Sequence, residues 1–134
     1  MKDPRRGIRR GRGPAARPIQ EMSNVNEVGD EDFQARVLDS DVPVLVDFWA
    51  EWCGPCRLVA SEVDKLSVEY GARLKVMKLD IDANPRITGE YGVMSIPSLL
   101  LFAEGAEKVR VVGARPASAI KSQIDRHIPA GAEA

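Results

Sequence analysis

Cys53 and Cys56 are the chain's two cysteines, and they stand three apart in Trp52-Cys53-Gly54-Pro55-Cys56. Two thiols at that spacing can close a small disulfide ring and reopen it. In such chemistry one thiol attacks a target disulfide and the other resolves the mixed disulfide. The pair falls where a continuous apolar run gives way to helical periodicity. A helix start supplies free N–H groups and positive potential, which stabilise a thiolate. Pro55 suits the first helical turn, where its missing N–H is harmless. Gly54 and Pro55 also keep bulk away from the sulfurs. The bland alternatives are two buried structural cysteines or half of a metal site. A structural zinc site takes four ligands. His127 is the one histidine to join the two cysteines, so no metal is expected.

Asp47 interrupts the apolar run Val44-Leu45-Val46-Asp47-Phe48-Trp49. A carboxylate there is unfavourable to bury, and burial raises its pKa. Such a group can accept the proton of a thiol that must become a thiolate. An Asp at a sheet edge, or one bonded to backbone, is the alternative. Lys78, in Val76-Met77-Lys78-Leu79, can point toward Asp47 from a neighbouring strand or lie exposed on an alternating one. Pro97 stands at the start of an apolar strand, where proline is allowed. The Ile96–Pro97 bond is open to either isomer: cis would hold a sharp turn, while frequency favours trans.

These residues need elements to hold them. Asn24–Val28 reads as a weak first strand. Asp30, Glu31 and Asp32 offer an N-cap for a short helix with Phe33, Val37 and Leu38 inward. Val42–Ala50 reads as a strand buried on both faces. A helix over about 53–70 carries Val59, Val63, Leu66 and Tyr70 at helical spacing, and Gly71 ends it. Leu74–Asp80 alternates as a strand. Asn84-Pro85 opens a short helix that Gly92 closes. Ser98–Phe102 is a second buried strand, Gly105 a turn and Lys108–Val112 its hairpin partner. Pro116 starts a last helix with Ile120, Ile124 and Ile128 on one stripe. The order β-α-β-α-β-α-β-β-α predicts an α/β fold. Its sheet is expected to be mostly parallel, with helices on both faces and antiparallel pairing in the final hairpin.

The 134 residues suit one domain, with 44% hydrophobic and 29% charged residues. Two cysteines are too few for a disulfide-dense secreted scaffold. Apolar stretches such as Leu99–Ala103 fall far short of the roughly 20 residues of a membrane span. The net charge of −1 shows no strong pull toward nucleic acid, but it hides an asymmetry. Residues 1–22 carry seven basic and two acidic side chains, a net +5, leaving 12 basic and 18 acidic elsewhere. This Arg/Gly/Pro segment has little apolar surface to bury and reads as a disordered tail. It has no apolar core for a secretory signal. An organelle transit peptide, or contact of its arginines with nucleic acid or membrane, ranks below a solvated extension. Met22 is an alternative start. Residues 23–129 form the expected domain, and 130–134 a flexible end.

The run from Val46 to Cys56, the stretch Lys78-Leu79-Asp80-Ile81-Asp82 and the segment from Ile96 to Phe102 resemble the thioredoxin family of bacterial type. The resemblance runs in register from about Asn24 to Ile128. It implies a thioredoxin fold, a central five-stranded mixed sheet flanked by four helices. It implies Cys53 as the attacking, more exposed thiol and Cys56 as the buried resolving thiol. Asp47 matches the family's buried proton acceptor and Lys78 its partner. Pro97 matches a cis-proline facing the disulfide. Trp52, Gly54, Pro55, Ile96, Pro97, Val112 and Gly113 match the surface that grips substrate. One position departs: Ser61 stands where the family usually has a proline that kinks the active-site helix.

The implied activity is general protein-disulfide reduction in the cytoplasm by a monomer with no bound cofactor. Its electrons come from NADPH through a thioredoxin reductase and pass to disulfide-containing proteins. Two alternatives use the same fold: a thiol oxidant or isomerase, and a redox-independent binding module. The Gly-Pro dipeptide and the lack of an export signal weigh against the first. The intact cysteine pair weighs against the second.

Overall fold

The computed structural model describes residues 25–131. The expected tail over 1–22, the first residue of the expected strand and residues 132–134 of the C-terminal end lie outside them. Five strands form one sheet: β1 (Val25–Glu27), β2 (Val44–Trp49), β3 (Lys75–Asp80), β4 (Ser98–Ala103) and β5 (Ala106–Val112). Three α-helices are α1 (Gly54–Tyr70), α2 (Pro85–Glu90) and α3 (Ala117–Ile124). A wide helical turn over Gln34–Leu38 is the fourth flanking helical segment. The Asp39 N–H closes it on the Gln34 carbonyl, one residue further back than in an α-helix.

The strand order is β1-β3-β2-β4-β5. β3 runs parallel to both β1 and β2, while β4 is antiparallel to β2 and β5 to β4. The antiparallel part therefore begins one strand earlier than the alternating pattern predicts. β4 starts at the end of the sheet where β3 stops; α2, spanning about 9 Å against the roughly 20 Å of β3, does not by itself carry the chain back to the far end. At the β4–β5 turn Glu104 and Gly105 both have positive φ, 55° and 77°. That is the two-residue hairpin geometry whose twist matches the strands.

Alternation along the strands sorts the core into two layers. Leu45, Val76, Leu99 and Leu101 pack with Val59, Val63, Leu66 and Tyr70 of α1 and with Ile120 and Ile124 of α3. Val44, Val46, Phe48, Met77, Leu79, Leu100 and Phe102 pack on the other face with Phe33, Val37 and Ile87. Two details differ from the sequence reading. Helix α3 ends at Ile124, and Ile128 reaches the same core after a tighter turn over Asp125–His127. The Asp30 carboxylate caps α2 across the fold, accepting from the N–H groups of Arg86 and Ile87 at 3.1 and 2.9 Å. That first turn has two of the free donors of any helix start, and Asp30 satisfies them.

Candidate active site

The topology gathers the site at one end of the sheet. β2 delivers Trp49 there, and the chain turns through Trp52 into Cys53, the N-cap of α1. Because β4 is antiparallel to β2, its entry lies at the same end: Ser98 pairs with Phe48, which puts Pro97 beside the exit of β2. Val112 pairs with Ser98 in turn. The N–H of Gly113, at φ 94°, donates to the Pro97 carbonyl at 2.8 Å. The Ile96–Pro97 peptide is cis.

Cys53 and Cys56 are joined as a disulfide with Cα atoms 5.3 Å apart. The Cys56 N–H donates to Cys53 Sγ at 3.2 Å. Cys53 thus sits where free helix-terminal N–H groups converge, and Cys56 lies within the first turn. In this oxidised state both are buried, 5% and 2% exposed, so helix position separates them more than exposure does. Ala50 completes their cluster, with Trp49, Ile81 and Ile96 packed against it. Gly54 and Pro55 are exposed at the helix start, and a side chain at Gly54 would meet open space. Trp52 is 67% exposed, and its indole N–H donates to Asp82 Oδ2 at 2.8 Å. Met94 is 93% exposed, two residues before Ile96.

Asp47 lies beneath the disulfide. β2 is the central strand, so the edge alternative does not hold. Asp47 is 3% exposed, and its Oδ1 is a buried oxygen with no hydrogen-bond partner. Burial pushes its pKa up to about 7; the Lys78 charge opposes that shift and Asp64 adds to it. Lys78 is the register partner of Asp47 across β2–β3, on the same face, half-buried with its ammonium 5.2 Å from the centre of the Trp49 ring. A cavity of about 310 Å3 lined by Asp47, Trp49, Ala50, Glu51, Cys56, Arg57, Ala60 and Lys78 joins the carboxylate to the cysteine. Asp47 and Cys56 thus face one shared space.

Asp64 is the acidic neighbour that the sequence reading missed. It is buried on α1 in line with Cys56 and Ala60. The i, i+4, i+8 spacing of those three positions carries that signal. Asp82, the partner of Trp52, has no such local signal, because its contact spans 30 residues. Ser61 lies inside an unbroken α1 and turns its hydroxyl to the Leu58 carbonyl at 3.1 Å. Among the described residues, no group of three or more His, Cys, Asp or Glu side chains can hold a metal ion. Among them, too, no helix is long and apolar enough to cross a membrane.

Comparisons with known proteins give the family. A family model described as Thioredoxin matches residues 24–126. Thioredoxin 1 of Nostoc sp. is 47% identical over 107 residues, covering 80% of this chain and 100% of that protein. The thioredoxin of the alga Porphyra purpurea is 46% identical over 105 residues, 78% of this chain and 98% of its own. That of Rickettsia felis is 45% identical over 103 residues, with 77% and 98% covered.

Proposed function

The chain belongs to the thioredoxin family and carries that family's thiol–disulfide exchange pair in Cys53 and Cys56, and from that premise we propose that it is a general protein-disulfide reductase. In the reduced state the Cys53 thiolate, held at the α1 N-terminus, attacks one sulfur of a target disulfide. The target S–S bond breaks, a mixed disulfide forms and the first target sulfur leaves with a proton from solvent. Cys56 then gives its proton to Asp47 and attacks Cys53 Sγ. The Cys53–Cys56 bond closes and the second target sulfur departs. Two electrons have passed from the dithiol to the target.

Ile96, Pro97, Val112 and Gly113 form the surface against which the target chain lies, with Trp52 on the far side of the cysteines. Lys78 keeps the Asp47 carboxylate from being neutral at all working pH values, since its charge opposes the effect of burial. NADPH and a thioredoxin reductase restore the dithiol, in the cytoplasm, with no cofactor held by the chain itself. The observation that carries this reading is the shared cavity between a buried, partnerless Asp47 oxygen and Cys56. An isolated structural disulfide has no need of a titratable group beneath it. Reduction of insulin in the presence of NADPH and a thioredoxin reductase tests the reading. Catalytic NADPH consumption dependent on both cysteines is expected; none with both cysteines intact would refute it.

A further inference from the structure

We propose that Arg110 is a positioning residue for substrate binding, fixing the segment before Pro97 relative to the Val112–Gly113 wall that faces it. This rests on the reading that the two walls together grip the target chain.

Arg110 lies on β5, paired with Leu100 and two residues before Val112. Glu107, on the same strand, holds its guanidinium from one side: Nε donates to Oε2 at 2.7 Å and Nη2 to Oε1 at 2.9 Å. This two-pronged geometry suits a planar guanidinium and is unavailable to lysine. The fork leaves other N–H donors aimed across the sheet end. Nη2 donates to the Tyr91 carbonyl at 2.6 Å and Nη1 to the Gly92 carbonyl at 3.5 Å. Tyr91 is the C-cap of α2, so these oxygens carry the partial negative charge of a helix end, where a cation is favoured.

Gly113, the residue just after β5, holds the other end of the segment through its bond to Pro97. Residues 92–97 are therefore strung between an anchor on β5 and one at its end. Between the anchors stand Met94, fully open to solvent, and Ile96, packed against the cysteine cluster. Without Arg110 the β5 wall keeps only its anchor at Pro97. The opposite end of the segment would then keep the packing of Tyr91 on Phe33 and Phe102, but Met94 would lose the polar tie that fixes the start of its segment to β5. The disulfide chemistry lies on β2 and α1 and does not touch Arg110. The expected signature is thus weaker capture of protein targets with unchanged chemistry on a small disulfide.

The test uses the full chain, chemically pre-reduced so that no reductase docking enters. Single-turnover rates are measured against rising insulin concentration and, separately, against the small disulfide 5,5′-dithiobis(2-nitrobenzoate). For Arg110→Met the half-saturating insulin concentration is expected to rise roughly three- to tenfold. The limiting rate and the small-disulfide rate should stay at wild-type values. Arg110→Lys, which keeps the charge at the helix end but not the fork, should recover part of the shift. Glu107→Gln should shift insulin binding in the same direction. An unchanged half-saturation in Arg110→Met overturns the proposal. So does an equal fall in both rates, which would mark general damage. A wild-type chain that reduces the small disulfide but not insulin would remove the groove reading and this proposal with it.

Discussion

Asp47 and Lys78 are partners across the parallel β2–β3 pair, on the sheet face that α1 covers. Parallel register puts their Cβ atoms on one side, so an acid and a base share the space behind Cys56. The Asp47 carboxyl is held near neutrality by burial, with its pKa at about 7. A group with that pKa accepts a proton at working pH and releases it readily.

Replacing Asp47 with Asn should slow the resolving step far more than the first attack. Cys53 already has the helix terminus to stabilise its thiolate. Cys56 must lose a proton while buried, and Asn cannot take it. In the wild type, resolution should accelerate as pH rises through about 7, following the Asp47 carboxylate. In Asp47→Asn the rate near neutral pH should fall on the order of a hundredfold, and that inflection should disappear. Stopped-flow mixing with a model disulfide, with acid trapping of the mixed disulfide, separates the steps. Wild-type resolution in the variant would make Asp47 a structural residue.

The same carboxyl predicts how stability varies with pH. Its folded pKa, about 7, stands above its ordinary 3.8. Between those values the folded chain holds a proton that the unfolded chain has released, so stability falls as pH rises through the window. The contribution is roughly 2–4 kcal/mol across it. Denaturant unfolding of the oxidised protein at pH 5 and pH 8 should show the part of that loss above pH 5, at most about 3 kcal/mol, and Asp47→Asn should lack it. Equal slopes in the two proteins would contradict the burial-driven shift.

Glu62 joins α1 to the last helix. Its Oε1 accepts from the Ala117 N–H at 2.7 Å, and its Oε2 pairs with Lys65 at 3.1 Å. Ala117 is the first residue of α3, and its N–H has no partner within that helix. Glu62→Ala should therefore destabilise the fold by about 1 kcal/mol, while Lys65→Ala should change it by less than about 0.5 kcal/mol. Urea unfolding of the two variants checks the ranking.

Ser61→Pro should be tolerated better than proline at most interior helix positions. The resemblance implies a backbone that usually takes a proline there, and the position is only half-buried. The substitution removes one helical N–H bond and the Ser61–Leu58 contact. Thermal unfolding should show a loss below the roughly 3 kcal/mol typical of a mid-helix proline. A larger loss would mean that this α1 is committed to its unbroken path.

Much of the fold was legible because its strands are apolar runs bounded by Gly, Pro and Asn, and its long helix has a 3.6-residue stripe. Val44–Trp49, Gly54–Tyr70 and Ser98–Ala103 follow from that pattern. The direction of β4 did not, since periodicity carries no orientation. The Ile96–Pro97 isomer is likewise invisible to composition. Cys53, Cys56 and Asp47 stood out because each breaks a local expectation. Asp82, Asp64 and Arg110 did not, because polar residues on turns, helices and edge strands look solvated until tertiary contacts are known. Asp30 shows the same effect: its pattern suggested a local cap, yet it caps a helix more than 50 residues away.

Mixed-disulfide trapping tests the central claim most directly. Each single cysteine variant, Cys53→Ser and Cys56→Ser, is incubated with a disulfide-containing protein and run on a non-reducing gel. The proposed mechanism makes Cys53, at the helix N-cap, the attacking thiol and Cys56 the resolving one. Cys56→Ser should therefore accumulate a covalent adduct through Cys53 that a reductant releases, and Cys53→Ser should form little. Adducts forming faster in Cys53→Ser, or in neither variant, would contradict the account.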